Sequence, residues 1–187
     1  MSSPTNPNTP LRPPALTLWF TGLSGAGKST LACATLGALE AQGKPCFLLD
    51  GDDLRQGLNR DLGFTAEDRS ENLRRAAEVA KLFNRAGITV LAAFITPFAK
   101  DRASIASIVG PECYREVHVS TPLEVCESRD PKGLYAKARR GEIKSFTGVS
   151  DPFESPAAPD LRINTHALSL DESVQEILTL LSHARPR

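Results

Sequence analysis

The glycine-rich octet Gly22-Leu23-Ser24-Gly25-Ala26-Gly27-Lys28-Ser29 follows an apolar run at residues 16–21 and leads into a helix-forming run at 28–42. The pattern GxxxxGK[ST] acquires physical meaning only between a strand and a helix. There the glycines let backbone N–H groups converge on phosphate oxygens, and the helix N-terminus adds partial positive charge. Lys28 is placed to reach β- and γ-phosphates, and the Ser29 hydroxyl to ligate the Mg²⁺ that accompanies them. The octet therefore implies a bound nucleoside triphosphate. It also implies the start of an α/β fold.

The remaining pattern extends that fold. Apolar β-type runs at 16–21, 46–50, 88–95, 116–120 and 161–164 alternate with helical ones, as expected for a three-layer, five-stranded parallel sheet with helices on both faces. The first helix should stop near Gly43, since Lys44-Pro45 cannot continue it. A long helix is predicted over 66–86, with Thr65 and Asp68 as a capping box, Gly87 as stop, and Leu73, Ala76, Ala77, Ala80 and Phe83 as its core stripe. The last helix, 170–183, shows the same period through Val174, Ile177, Leu178 and Leu181. Two segments depart from the pattern. Residues 51–64 are crowded with charge, and 129–154 form a long basic stretch with little core-type periodicity; such segments are more often functional than idle.

Basic and acidic residues balance at 22 each, so the net charge gives no support to a nucleic-acid or membrane partner. Cys33, Cys46, Cys113 and Cys126 are scattered without metal-ligand spacing, a usage that fits a reducing cytoplasm. Residues 1–14, with five prolines among Ser, Thr and Asn, read as a disordered tail without the apolar core of a signal peptide. Residues 15–187 then form one catalytic domain, with a lid over about 129–154. No apolar run approaches the roughly 18 residues of a membrane span.

Ligands of open α/β sheets bind beyond the carboxyl ends of the strands. There the second predicted strand ends in Asp50-Gly51-Asp52-Asp53 and the third in Phe94-Ile95-Thr96-Pro97-Phe98. The acidic cluster could hold Mg²⁺ through water or supply Asp52 as base for an acceptor hydroxyl; equally, it could be a turn capping the helix that follows. Arg55 lies three residues after Asp52, and the same spacing links Arg69 to Asn72. Two guanidinium forks suit a phosphate or sulfate, although solvated surface charge is arginine's usual fate. Phe64 offers a flat face to a planar group. Arg129, Lys132, Lys137, Arg139, Arg140 and Lys144 make residues 129–144 either a mobile basic flap over phosphates or a charged surface hairpin. Residue chemistry alone thus points to a small kinase with an anionic, flat-faced acceptor.

Four stretches, GLSGAGKST, LDGDDLRQGLNRDLGFTAEDRSENLRR, FITPF and CESRDPKGLYAKARRGEIKSFTGVSDPFE, resemble the adenylylsulfate (APS) kinases, and the likeness covers nearly all of the chain after the tail. The first is shared by many P-loop proteins; the second and fourth are specific. The resemblance implies the P-loop NTPase fold, transfer of the ATP γ-phosphate to the 3′-hydroxyl of adenylylsulfate, Mg²⁺, a homodimer and a functional link to ATP sulfurylase in sulfate assimilation. It implies Gly22, Leu23, Ser24, Gly25, Ala26, Gly27, Lys28, Ser29 and Thr30 around ATP, with Arg129 stacking on its adenine. Asp52, Arg55, Phe64, Arg69 and Asn72 would form the acceptor site. Ile95 and Thr96 would line it, Lys132 would close it, and Phe146 would face Phe64 across the substrate adenine. The family usually has serine where this chain has Thr96, and bacterial members are often described as carrying a phosphoserine there. A β-branched threonine favours direct in-line transfer past a hydrogen-bonding wall. Ser145 stands where the family commonly has glycine. A gluconate, shikimate or nucleoside monophosphate kinase would share the loop and flap but not the Asp52, Arg55, Phe64, Arg69, Asn72 set. A GTPase-type switch lacks its NKxD-like element here.

Overall fold

The computed structural model describes residues 15–183; the proline-rich segment 1–14 lies outside the described residues. The chain runs β1 (Thr17–Thr21), α1 (Lys28–Glu40), β2 (Cys46–Asp50), α2 (Gly51–Gln56), α3 (Ala66–Arg85), β3 (Thr89–Ala93), α4 (Ala99–Val109), β4 (Tyr114–Val119), α5 (Leu123–Arg129), α6 (Leu134–Arg139), β5 (Leu161–Ile163) and α7 (Leu170–His183). The strands form one sheet in the order β2-β3-β1-β4-β5, every neighbouring pair parallel.

β1 lies at the centre and is buried throughout, so both of its faces must be apolar. Leu18 and Phe20 point into the core beneath α1 and α7, while Trp19 points into the core beneath α3 and α4. Each face is therefore sealed by helices, and the loops at the carboxyl ends of β1, β2 and β3 converge. That convergence sets where ligands bind.

The long helix obeys its sequence signals: the Thr65 hydroxyl accepts from Asp68 N at 3.1 Å, and the chain leaves through Gly87 at φ 77°. Several boundaries shift. α1 stops at Glu40 because a tight turn through Ala41 and Gly43 (φ 67°) intervenes before Pro45. β3 is shorter than the apolar run, although Phe94 N still donates to Phe20 O (3.1 Å) and Ile95 O accepts from Gly22 N (3.2 Å) as the chain enters the Thr96 loop. β4 begins earlier, at Tyr114, because Tyr114 and Arg115 stand in register with Thr17 and Leu18.

The two segments read as irregular contain helices. Asp50 caps α2 by accepting from Asp52 N at 2.9 Å, so the capping role anticipated for the Asp-Gly-Asp-Asp turn is real. Segment 129–154 carries α6, whose N-terminal amides at Tyr135 and Ala136 donate to the Asp130 carboxylate at 3.0 Å. Tyr135, Ala138 and Phe146 from this segment are buried in the main core. Segment 129–154, read as a basic flap or a charged hairpin, is thus rooted in the core by these three residues, and its Lys132, Lys137, Arg139 and Arg140 side chains are exposed.

Candidate active site

The phosphate loop is shaped by contacts that exclude side chains. A Cβ on Gly22 (φ 148°) would lie 2.4 Å from Val119 O, and one on Gly25 (φ 72°) would lie 2.9 Å from Cys126 O. Only glycine fits either position. The Ala26 carbonyl accepts from both Thr121 Oγ1 (2.9 Å) and Thr165 Oγ1 (2.8 Å), and Gly22 N donates to Ile95 O at 3.2 Å. Tyr135 of the lid donates its phenolic O–H to Ser24 O at 3.0 Å. Thr121, Tyr135 and Thr165 were not legible as site residues; they reach the loop across 95, 111 and 139 residues of chain.

Lys28 curls over the loop and donates to Leu23 O at 2.7 Å. Burial, the largest influence, pushes its ammonium down to about 8, against smaller opposing effects from Cys126 and Asp50. A bound polyphosphate needs that ammonium charged. Above pH 8 nucleotide binding must therefore recapture a proton, and affinity falls with rising pH; below pH 8 the lysine is already charged and affinity is flat. Titration calorimetry with ADP should show about a fivefold loss between pH 8 and pH 9, approaching a decade for each further pH unit, the limit for one titrating group. A flat profile through pH 9 would show that burial does not lower the Lys28 ammonium in this loop.

Ser29 Oγ donates to Asp50 Oδ2 at 2.7 Å, joining the start of α1 to the end of β2. Thr30 is exposed beside it. Across this opening Asp52, on α2, forms an ion pair with Lys132, which comes from the lid 80 residues away. At the other side of the loop Arg129 donates to Thr165 Oγ1 (2.9 Å), Thr165 O (3.0 Å) and Gly25 O (3.4 Å), so its guanidinium plane is fixed beside the loop.

The other residues expected around the acceptor cluster along α2, α3 and the connection between them. Arg55 donates to Gly63 O at 2.8 Å and lies 4.5 Å over the Phe64 ring, which is 69% exposed. Burial, then the positive charge of Arg69, pulls the Arg55 guanidinium below its ordinary value, so the two arginines converge. Arg69 is more a brace than the free fork anticipated: Nε donates to Phe64 O (3.0 Å) and Nη2 to Ser145 O (2.6 Å). It thereby holds Phe64 near the segment that carries Phe146. Phe146 itself is only 8% exposed, edge-on to Tyr135 at 5.0 Å. Asn72 is buried and accepts from Asn59 Nδ2 at 2.9 Å.

Thr96 adopts φ 46°, a left-handed conformation costly for a β-branched residue. Its Oγ1 accepts from Trp19 Nε1 at 2.8 Å, and the side chain is 1% exposed. Thr96 O and Pro97 O accept from Arg102 Nη1 at 3.1 and 3.2 Å, and Arg102 is itself paired with the largely covered Glu116 at 3.0 Å. Glu154, at the far end of the lid, donates from N to Pro97 O (2.9 Å) and accepts from Ala99 N (2.6 Å). The wall that holds Ile95 and Thr96 is thus tied to sheet, α4 and lid together.

A phosphate loop with a serine–aspartate pair at the next strand end, faced by a carboxylate that a basic lid can cover, defines an ATP-using phosphotransferase of the P-loop class. The sequence profile of adenylylsulphate kinase matches residues 14–164. An adenylyl-sulfate kinase of Phocaeicola vulgatus is 57% identical over 164 residues, covering 88% of this chain and 80% of that protein. One from Shewanella pealeana is 56% identical over 165 residues, again 88% of this chain and 80% of that protein. The APS kinase of Mycobacterium tuberculosis, solved in complex with AMPPNP and APS, superposes with a TM-score of 0.88 at 48% identity, covering 91% of this chain and 99% of its own. The chain belongs to the adenylylsulphate kinase family.

Proposed function

We propose that this protein transfers the γ-phosphate of ATP to the 3′-hydroxyl of adenylylsulfate, giving 3′-phosphoadenylylsulfate and ADP. The observation that carries the reading is the Asp52–Lys132 ion pair: it sets a carboxylate and a lid cation together at the mouth of the phosphate loop. Asp52 accepts the hydroxyl proton as the new O–P bond forms and the bond to the β,γ-bridging oxygen breaks. Lys132, released from Asp52 when substrate arrives, neutralises charge on the transferring group. Loop amides from Gly22 to Thr30 and the Lys28 ammonium hold the donor phosphates, and Arg129 flanks its base.

Arg55 and Arg69 favour an anion beside Phe64, the flat face for the acceptor adenine. Phe146, held through Ser145 and Arg69, supplies the opposite ring. Ile95 and Thr96 form the wall, and Asn72 donates from α3. Mg²⁺ fits the Ser29–Asp50 pair, because this ion keeps most of its shell as phosphate oxygens and water and needs few protein oxygens. When bound it would draw charge from the phosphates. On the resemblance, the reading extends to a cytoplasmic homodimer working beside an ATP sulfurylase. None of the described helices is long and apolar enough to cross a membrane.

An ADP-release assay with MgATP across adenylylsulfate, gluconate, shikimate and nucleoside monophosphates tests the substrate. Preference for adenylylsulfate is expected; preference for any other acceptor would overturn the reading.

The Thr96 geometry supports direct transfer, since its hydroxyl is buried against Trp19. Thr96→Ala should keep turnover within about tenfold. It should lower stability by about 1–3 kcal/mol, the cost of leaving the buried indole N–H without its acceptor. Abolished turnover, together with phosphothreonine trapped in the parent protein, would contradict this.

A further inference from the structure

Asn59 lies in the connection between α2 and α3 and is fully buried. Its backbone is fixed by Asn59 N donating to Leu54 O (2.8 Å) and Leu62 N donating to Asn59 O (3.1 Å). Its side-chain Nδ2 donates to Asn72 Oδ1 at 2.9 Å, whereas Asn59 Oδ1 has no hydrogen-bond partner among the described residues. A buried polar atom of this kind is costly, so the pairing must be better than its alternatives.

The alternative is the reverse pairing, in which both amides turn over and Asn72 donates to Asn59. That arrangement would leave both N–H groups of Asn59 buried without acceptors, where the observed one leaves a single N–H and the oxygen; an orphaned buried N–H is rarer than an under-satisfied carbonyl. The observed polarity is therefore the stable one. Its consequence falls on Asn72, one turn beyond Arg69 on α3 and 5% exposed. With Oδ1 turned toward Asn59, the group that Asn72 presents on its other side is its Nδ2 donor.

We infer that Asn59 is a positioning residue that fixes the Asn72 carboxamide with its N–H toward the acceptor nucleotide, so that this part of the site takes only hydrogen-bond acceptors: a ring nitrogen, or phosphate or sulfate oxygen. The inference rests on the reading that Asn72 lines the adenylylsulfate pocket. A carboxamide free to rotate would present either polarity, and half of its orientations would meet substrate oxygen with oxygen. Asn59 removes that choice before substrate arrives.

Asn59→Asp tests this at constant shape. An ionised carboxylate cannot donate to Asn72 Oδ1; it can only accept, which turns the Asn72 amide round and aims its oxygen at the nucleotide. At pH 8 the KM for adenylylsulfate should rise at least about tenfold, the worth of one hydrogen bond, while kcat and the KM for MgATP stay within about twofold. Toward pH 6 the introduced carboxyl, whose pKa burial raises, regains a proton and donates again, so the KM penalty should shrink. Asn59→Ala leaves Asn72 free to turn and should give a smaller rise with no pH recovery. Thermal melting confirms that each variant is folded, and Asn59→Ala carries the KM comparison should Asn59→Asp not fold. Equal losses for both substrates, or unchanged KM in a folded variant, would overturn the inference. A parent protein inert toward adenylylsulfate would instead overturn the functional reading, and this inference with it.

Discussion

Asp52→Asn is expected to lower kcat by about 10²–10⁴-fold while changing adenylylsulfate binding far less. The amide keeps the shape of the carboxylate but cannot take the proton of the attacking hydroxyl. The substitution also weakens the contact with Lys132, yet both side chains are largely exposed (67% and 61%) and such pairs contribute little to folding. Thermal stability should therefore stay close to the parent, which separates a catalytic from a structural loss. Steady-state kinetics with both substrates, read beside a melting curve, decides the point. Equal losses in kcat/KM and in equilibrium binding would reduce Asp52 to a binding group.

Lys28→Met should be as damaging to turnover for a different reason. The Lys28 ammonium is held at Leu23 O, and the packing around it opposes its charge. Removing it relieves that opposition in the free protein, so the melting temperature should hold or rise. Turnover should fall by about 10²–10³-fold, the scale on which a single donor to developing charge contributes. The pH dependence of ADP affinity described above should vanish in the same variant, because no group remains to recapture a proton. A variant that keeps the dependence would place the titrating group elsewhere.

The elements legible in the sequence were those whose signal is local. The octet requires a strand before it and a helix after it, and β1 and α1 follow. α3 was legible because Leu73, Ala76, Ala77 and Ala80 recur on one face between a threonine cap and Gly87, and all four are buried. α6 was not legible, since its apolar content is slight and its neighbours are basic. Its core face, Tyr135 and Ala138, is set by tertiary contacts such as those of Tyr135 with Ser24 O and with the Phe146 ring. α2 was masked by its charges, although Asp50 was recognisable as a possible cap.

The candidate site shows the same division. Lys28, Ser29, Asp52 and Lys132 were placed by type and spacing, and the fold brings them to one opening. The groups that orient them were invisible. Thr121 and Thr165 beneath the loop, Asn59 behind Asn72, and Arg102 and Glu154 behind Thr96 are ordinary residues made specific by long-range contact. Arg69 was read, with Arg55, as a fork suited to an anion; two of its nitrogens also brace backbone carbonyls. Its role is divided because a guanidinium satisfies a loop as readily as a ligand.

The central claim is that one crevice holds donor and acceptor nucleotides together, one at the glycine loop and the other between Phe64 and Phe146. Titration calorimetry of adenylylsulfate into the protein saturated with MgADP tests it most directly. A saturable heat with one acceptor site per chain, lost in a Phe64→Ala, Phe146→Ala double variant, is the predicted result. No heat from adenylylsulfate in the presence of MgADP would contradict it.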